Sequence, residues 1–205
     1  MTGWVIGFAG VGIALILSVT QAPLKKAYWP LKALMGLLYL GMVQHQALDG
    51  LSGSVFVAYY LGDLVLGIPS LALRTKIQWG IGLFGLGHVI LGVVLIQELD
   101  LVMIGLLMGI LFFSYLSTLR LWIRTLNLEG LMGPVNGYVV ILMAVGIMGW
   151  MAAPTTGYLA LGITLFIVSD GFLALWHFKR KPWVGHKVLN ILFYYSAIVL
   201  MILSL

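Results

Sequence analysis

Two carboxylates interrupt otherwise apolar segments of this chain. Asp63 stands in YYLGDLVLGI and Asp170 stands in LFIVSDGFLA, and each follows a small residue and precedes a leucine by three positions. A charged side chain within a membrane costs several kcal/mol, so an aspartate there usually faces the interior of the helix bundle and has a partner or a function. We therefore take the two aspartates as candidates for chemistry.

Paired carboxyl groups can perform acid–base catalysis. When two of them share a buried site, repulsion between their charges favours a state with one protonated and one ionised group. The protonated group can donate a proton, and the ionised group can activate water. In the alternative interpretation, each aspartate only accepts hydrogen bonds from Tyr, Ser or His side chains and fixes the packing of the bundle.

The elements that must position these aspartates are predicted to be membrane-spanning helices. The chain has 205 residues, of which 62% are hydrophobic and 8% are charged, whereas soluble domains have about 25% charged residues. Apolar segments of about 20 residues recur without the alternation of barrel strands. The composition predicts an all-α polytopic transmembrane bundle that forms a single domain over 1–205. Its eight predicted spans lie at about 3–20, 31–47, 52–69, 77–96, 101–119, 134–152, 157–177 and 185–204.

The basic residues predict the orientation of this bundle, because cytoplasmic loops carry an excess of Lys and Arg. Here the basic residues lie in every second predicted loop, whereas Asp49, Glu98 and Asp100 fall in the loops between them, on the other side of the membrane. We therefore expect both termini outside and a multi-pass protein of the bacterial cytoplasmic membrane. The positive charge then reflects topology rather than nucleic-acid binding. All eleven Lys and Arg residues lie in or beside alternate predicted loops: Lys25, Lys26, Lys32, Arg74, Lys76, Arg120, Arg124, Lys179, Arg180, Lys181 and Lys187.

The predicted orientation also places the two aspartates relative to each other. Spans 3 and 7 run in the same direction, and a helix rises about 1.5 Å per residue, so Asp63 and Asp170 should lie at similar depth in the cytoplasmic half. They could then meet in one cavity. His88, near the middle of span 4, should lie within reach. The small-Asp-x-x-Leu pattern that the two spans share favours a parallel 4+4 internal repeat.

Further polar side chains fall in the same predicted interior. Each of them alone is explained by a hydrogen bond within the bundle, but together they predict a partly polar cavity that a purely structural bundle does not need. These residues are Tyr59, Asn136, Tyr138, Ser169, Asn190 and Tyr194.

Other classes of site have less support. Asp63, Asp170 and His88 could in principle bind a metal, but the chain has no HxxxH or HExxH pair and no cysteine, so we expect no metal and no cofactor. His177 and His186 flank the basic residues at 179–181 and should lie at the membrane–water interface, with contact to a lipid headgroup as the alternative. The glycines of span 4 favour close packing inside one bundle over a dimer interface.

The order of these segments resembles the YhhN family of eight-span membrane proteins, which includes the lysoplasmalogenases. The resemblance covers about residues 28–200. It is carried by GDLVL in span 3, FGLGHVIL in span 4, NGYVVILM in span 6, LFIVSDGFLA in span 7 and FYYSA in span 8. It implies a lysophospholipid substrate: the vinyl ether bond of a lysoplasmalogen is hydrolysed to a fatty aldehyde and a glycerophospho-ethanolamine or glycerophospho-choline.

The resemblance also implies roles for individual residues. Asp63 and Asp170 correspond to the family's paired aspartates, His88 to its histidine in span 4, and Tyr138 and Tyr194 to its tyrosines in spans 6 and 8. Lys32, one turn from Trp29, stands near the place of a family lysine. The chain departs from the family pattern at Trp29, Tyr59, Leu91 and Ile198.

The implied reaction suits two nonequivalent carboxyl groups. A carboxylic acid can protonate the β-carbon of a vinyl ether, and a carboxylate can stabilise the resulting cation and deprotonate water. We take Asp170 as the general acid and Asp63 as the base, with the reverse assignment as the alternative, because the sequence does not distinguish the two. A small membrane transporter or lipid- and proton-coupled carrier that uses the same Asp and His residues is the alternative function. A lipid-binding or assembly protein without catalysis is a third.

Overall fold

The computed structural model describes residues 2–97, 130–179 and 181–205, together with the separate positions 99, 102, 105, 106, 109, 110, 126 and 128. Most of the predicted span at 101–119 lies outside the described residues. The same holds for the basic residues Arg120, Arg124 and Arg180 and for the acidic Glu98 and Asp100.

The secondary structure of the described residues consists of helices, as the composition predicts. The α-helices are α1 (Thr2–Thr20), α2 (Tyr28–His45), α3 (Gly50–Gly67), α4 (Leu73–Ile96), α5 (Met132–Met151), α6 (Ala153–Phe178) and α7 (Val184–Ser204). Each helix overlaps one of the predicted spans, and a short 3-10 helix over Ala22–Ala27 precedes α2. Five of them are long and apolar enough to cross a membrane, namely α3, α4, α5, α6 from Gly157 onward, and α7, and α1 contains a shorter apolar stretch.

Local sequence signals set both ends of α3, the helix that carries Asp63. The side chain of Asp49 accepts hydrogen bonds from the backbone N–H groups of Leu51 and Ser52, both at 2.8 Å, which satisfies donors that the first helical turn leaves open. At the other end Ile68 is extended, with ψ of 116°, because the following Pro69 disfavours the helical conformation of the residue before it.

The described helices close into a ring. Each of the pairs α1–α2, α2–α3, α3–α4, α4–α5, α5–α6 and α6–α7 is in contact, and α7 packs back against α1 and α2. Glycines permit the closest approaches. Gly62 of α3 lies against the Phe84 ring, and Gly80 of α4 lies against Leu66. The core of the ring is therefore formed by side chains that point inward from every described helix.

Packing pairs also give the directions of the helices. In α3 and α4, residue 62 lies beside residue 84 and residue 66 beside residue 80, so these helices are antiparallel. In α4 and α5, Gly85 lies beside Tyr138 and Gly92 beside Val145, so these helices are parallel. In α5 and α6, residue 149 lies beside residue 163 and residue 146 beside residue 167, so these helices are antiparallel. It follows that α3 and α6 run in the same direction.

Candidate functional site

Asp63 lies in the last turns of α3 as part of a buried ion pair. Its Oδ1 atom is 2.7 Å from Nζ of Lys32 in α2, and its Oδ2 atom accepts a hydrogen bond of 2.7 Å from the hydroxyl of Tyr195 in α7. The side chains of Lys32 and Asp63 are only 9% and 7% exposed. The charge of Asp63 is therefore compensated by a cation within the bundle.

The approach of α2 to α3 makes this ion pair possible. Gly67, at the end of α3, lies against the side chains of Trp29 and Lys32, where a larger residue would separate the helices. Trp29, one of the departures from the family pattern, donates its indole N–H to the Leu64 carbonyl at 3.4 Å. Trp29 thus packs on the turn that carries Asp63.

Asp170 lies in α6 in a different environment. It is half-buried, and its Oδ2 atom accepts a hydrogen bond from the hydroxyl of Tyr138 in α5. Among the described residues, Lys32–Asp63 is the one ion pair, so Asp170 has no cation partner there. The two aspartates are therefore electrostatically nonequivalent: one is paired with an ammonium group and the other with a neutral phenol.

Both aspartates line one polar cavity of about 300 Å³, as expected from their predicted depth. The cavity reaches from the Lys32–Asp63 pair to Asp170. Its lining contains most of the described lysines near this end of the bundle. The residues are Lys25, Tyr28, Lys32, Asp63, Leu66, Gly67, Pro69, Lys76, Phe84, Asp170, Leu173, Trp176, His177, Lys187, Asn190 and Tyr194.

An apolar cavity of about 330 Å³ adjoins the polar one. It lies between α4, α5 and α6 and is lined almost entirely by aliphatic and aromatic side chains, with Tyr138 among them. The two cavities share Leu66, Phe84, Asp170, Leu173 and His177. Asp170 is thus the carboxyl group at the junction between a polar and an apolar space.

Ser169 and Asn190 join α6 to α7 beside the site. The Ser169 hydroxyl donates to the Asn190 carbonyl at 3.1 Å, and the Asn190 amide donates to the Ser169 hydroxyl at 2.8 Å and to its carbonyl at 3.1 Å. These bonds fix the register of the two helices next to Asp170. Asn190 also lines the polar cavity, whereas Ser169 is fully buried.

His88 and Tyr59 lie behind the site rather than in it. His88 is fully buried, its Nδ1 is 2.8 Å from the Phe84 carbonyl, and it lines neither of the two cavities. Its ring packs 4.7 Å from Phe166, 5.0 Å from Tyr59 and 5.9 Å from Tyr138, measured between ring centroids. Among the described residues, His88 thus contacts the site through Phe84 and the ring of Tyr138, without a hydrogen bond to either aspartate.

The predicted metal alternative has no support from this arrangement. Within the part of the chain that the structure describes, no three His, Asp or Glu side chains come together as metal ligands. Asp63 is held by Lys32 and Tyr195, and His88 lies outside the cavity that the two aspartates line.

Sequence reasoning missed several residues of the site. Tyr195 bonds Asp63, whereas its neighbour Tyr194, the predicted residue, lines the cavity without a hydrogen bond to either aspartate. The FYYSA segment thus contributes both tyrosines, one to the lining of the cavity and the other to the hydrogen bond with Asp63. Lys187 was used only to predict the topology, yet it lines the cavity together with Trp176.

The two histidines beside the basic residues lie in different surroundings. His177 lines both cavities, whereas His186 packs on Phe172 and Trp183.

Comparison with known proteins gives one match. The model of the YhhN family matches residues 27–205 of this chain, which takes in α2 to α7 and both aspartates. No curated protein and no solved structure matches.

Proposed function

The chain belongs to the YhhN family, and from this membership we propose that it is a membrane lysoplasmalogenase-type hydrolase. It cleaves the vinyl ether bond of a lysoplasmalogen to a fatty aldehyde and a glycerophospho-ethanolamine or glycerophospho-choline. The observation that carries the proposal is the position of Asp170 where the polar cavity meets the apolar one. A single-chain lipid has the same division, with the vinyl ether bond between its polar and apolar parts.

The environments of the two aspartates support distinct roles. An uncompensated negative charge beside an apolar cavity is costly, so Asp170 serves as the carboxylic acid that gives its proton to the β-carbon of the vinyl ether. Asp63, which is ion-paired with Lys32, remains a carboxylate. It stabilises the oxocarbenium ion through the field in the cavity and accepts a proton from water.

The proton balance closes with these two groups alone. The electron pair of the C=C bond takes the proton of Asp170, and water then adds to the oxocarbenium carbon while Asp63 accepts one of its protons. The hydroxyl proton of the hemiacetal returns to Asp170 as the C–O bond to glycerol breaks. Asp63 gives its proton to the leaving glycerol oxygen. The products are one aldehyde and one alcohol, and both aspartates return to their starting states.

The proposed topology has eight spans in one domain, with both termini outside, a parallel 4+4 repeat and the basic loops in the cytoplasm. The parallel α4 and α5 support an eighth span, because Ile96 and Met132 lie at opposite ends of the bundle. The lysines around the polar cavity support a site toward the cytoplasmic side, because cytoplasmic loops carry an excess of Lys and Arg. We propose that the lipid enters from the cytoplasmic leaflet of a bacterial cytoplasmic membrane.

Aldehyde release from a lysoplasmalogen tests the function. Purified protein is given 1-alkenyl-glycerophosphoethanolamine in neutral detergent, and the aldehyde is measured for the wild type and for Asp63→Asn and Asp170→Asn. General acid–base catalysis is worth about 10²- to 10⁴-fold, so each variant should lose at least about 100-fold in rate. Asp49→Asn, which keeps a capping side chain at the other end of α3, is the matched control and should keep the rate.

Reaction in deuterated water tests the mechanism separately. Protonation of the β-carbon puts one deuterium on the carbon next to the aldehyde group, which mass spectrometry detects.

Two outcomes of these experiments contradict the proposal or favour its alternative. Wild-type rates of aldehyde release in both Asp63→Asn and Asp170→Asn would show the proposal to be wrong. Proton flux driven by lipid or solute in proteoliposomes, without aldehyde, would favour the carrier alternative instead.

A further inference from the structure

A glycine directly follows the proposed acid in α6. Gly171 stands next to Asp170 in the LFIVSDGFLA segment and is half-buried. Among the described residues that line the apolar cavity, it is the one glycine. At this position the backbone alone forms the wall of the cavity.

Other glycines of α5 and α6 are explained by close packing of helices. A Cβ atom at Gly162 of α6 would lie 2.8 Å from the side chain of Met201 in α7. A Cβ atom at Gly146 of α5 would lie 2.8 Å from the side chain of Ile167 in α6. Small residues that let two backbones approach are the usual glycines of membrane helices.

Gly171 is not explained in this way. No heavy atom of the described residues lies within 4 Å of the place where its Cβ atom would be, and its backbone is helical. Alanine has a higher helix propensity than glycine, so neither packing nor backbone geometry favours glycine here. The missing side chain instead leaves a space beside the carboxyl group of Asp170.

The register of α5 and α6 shows where this space lies. The two helices touch at Gly146 and Ile167. One turn from that contact, α6 reaches Gly171 and α5 reaches Leu142, and both of these residues line the apolar cavity. The cavity therefore opens between the two helices at the level at which Gly171 contributes no side chain.

We propose that Gly171 is a specificity-determining residue, whose missing side chain makes room for the hydrocarbon chain of the lipid alongside the Asp170 carboxyl. A proton donor must come within hydrogen-bond reach of the atom that it protonates, so the carbons next to the vinyl ether lie in the apolar cavity beside residue 171. A larger side chain fills the same space and keeps the chain away from Asp170. The inference rests on the proposed function for the identity of the lipid, and it names the feature of the site that admits its chain.

A saturated ether lipid tests this role without turnover, since it has no vinyl ether to cleave. Binding of 1-O-alkyl-glycerophosphoethanolamine is measured by calorimetry on the full chain in neutral detergent. Gly171→Leu should weaken binding about tenfold or more, because a side chain and a lipid chain that compete for one space meet the cost of overpacking. Gly171→Ala should weaken it less. Wild-type affinity in each of these variants that folds would overturn the proposal.

The unfolding temperature separates this role from a structural one. Gly171→Ala should unfold at the same temperature as the wild type or a higher one, because alanine favours the helix and its methyl group meets no described residue. A glycine that is needed for packing predicts the opposite. A lowered unfolding temperature in Gly171→Ala would therefore overturn the proposal, and this variant carries both measurements if Gly171→Leu fails to fold.

Gly137 provides a matched control in α5. It precedes Tyr138, the hydrogen-bond partner of Asp170, and a Cβ atom there also meets no described residue within 4 Å. Gly137 is exposed and lines neither cavity, so Gly137→Leu should keep the wild-type affinity. An equal loss of affinity in Gly137→Leu and Gly171→Leu would overturn the assignment to one position.

Failure of this proposal and failure of the proposed function are distinguishable. Absence of aldehyde from any lysoplasmalogen contradicts the hydrolase but leaves the binding of the saturated lipid beside Gly171 to be measured. Unchanged binding in the Gly171 variants contradicts the role of this residue but not the hydrolase.

Discussion

Lys32 and Asp63 form a buried ion pair that joins α2 to α3, with Nζ 2.7 Å from Oδ1. Removal of one partner leaves the other as an uncompensated buried charge, which typically costs about 3–5 kcal/mol. The pair therefore makes the position of the catalytic candidate Asp63 depend on a helix that is not among the five most clearly membrane-spanning ones.

A double-mutant cycle tests this coupling. Lys32→Gln and Asp63→Asn should each lower the unfolding temperature in detergent, and the double variant should be less destabilised than the sum of the two, because it leaves no unpaired charge. Additive effects would contradict a direct pair. Lys26→Gln, an exposed neighbour in the 3-10 helix, is the control and should change little.

Tyr138→Phe tests the environment of the proposed acid. The substitution removes the hydroxyl that donates to Asp170 but keeps the ring that packs against His88. Loss of one hydrogen bond to a charged or reacting group should lower kcat about tenfold, with KM nearly unchanged because the ring that lines the apolar cavity remains. Tyr158→Phe, on the exposed side of α6, should retain the wild-type kcat. A raised KM with normal kcat would mean that Tyr138 binds lipid instead.

Tyr195 and Tyr194 offer a comparison between adjacent residues. Tyr195→Phe removes a hydrogen bond of 2.7 Å to Asp63, so we expect kcat to fall about tenfold. Tyr194→Phe removes a hydroxyl that bonds neither aspartate and should have the smaller effect on kcat. The kcat values of the two variants, measured with the same substrate, show which hydroxyl matters more for the reaction. A larger loss of kcat in Tyr194→Phe would contradict the proposed role of Tyr195 as the hydrogen-bond partner of Asp63.

The level of each aspartate along its helix could be predicted from the sequence because it depends on few quantities. The rise of a helix is constant, and the charged loops predict that spans 3 and 7 run in the same direction, as α3 and α6 do. Asp63 and Asp170 therefore could be placed in one cavity before any contact was known. The YhhN resemblance, likewise carried by the order of short segments along the chain, is confirmed by the family match over 27–205.

Rotation of each helix about its axis could not be predicted in the same way. In a soluble helix the apolar stripe marks the buried face, but in lipid the outer face is apolar as well. In α3, Val57 and Leu61 face outward while Val55 and Phe56 are buried, although all four are apolar. For the same reason the sequence could not show that Tyr195 rather than Tyr194 bonds Asp63, or that His88 lies behind the cavity.

The cap of α3 predicts a pH-dependent contribution to stability. Hydrogen bonds from the backbone and hydroxyl of Ser52, and from the backbone of Leu51, hold the pKa of Asp49 below its ordinary value. A carboxylate with a lowered pKa in the folded state stabilises the fold above its unfolded pKa of about 3.9, and this contribution disappears as the pH falls through the folded value.

Asp49→Ala and Asp49→Asn separate the charge from the cap. The alanine variant should unfold at a lower temperature than the wild type at pH 7, and the difference should shrink below about pH 4. The asparagine variant keeps an acceptor for the helix N-terminus and should lie closer to the wild type with little pH dependence. An alanine effect that stays constant down to pH 3 would rule out the ionised cap.

Gly87 of α4 packs against Tyr59 and Val55 of α3, the helix that carries Asp63. A methyl group there would lie 2.5 Å from the Tyr59 ring and 3.3 Å from the Val55 carbonyl, and Tyr59 is one turn from Asp63. Overpacking of this kind costs about 1–3 kcal/mol, so Gly87→Ala should lower both the unfolding temperature and kcat. Gly82→Ala in the same helix meets nothing within 4 Å and should be neutral or slightly stabilising, since Ala favours helix by about 1 kcal/mol over Gly. Equal behaviour of the two variants would mean that α3 can move away from α4 without displacing Asp63.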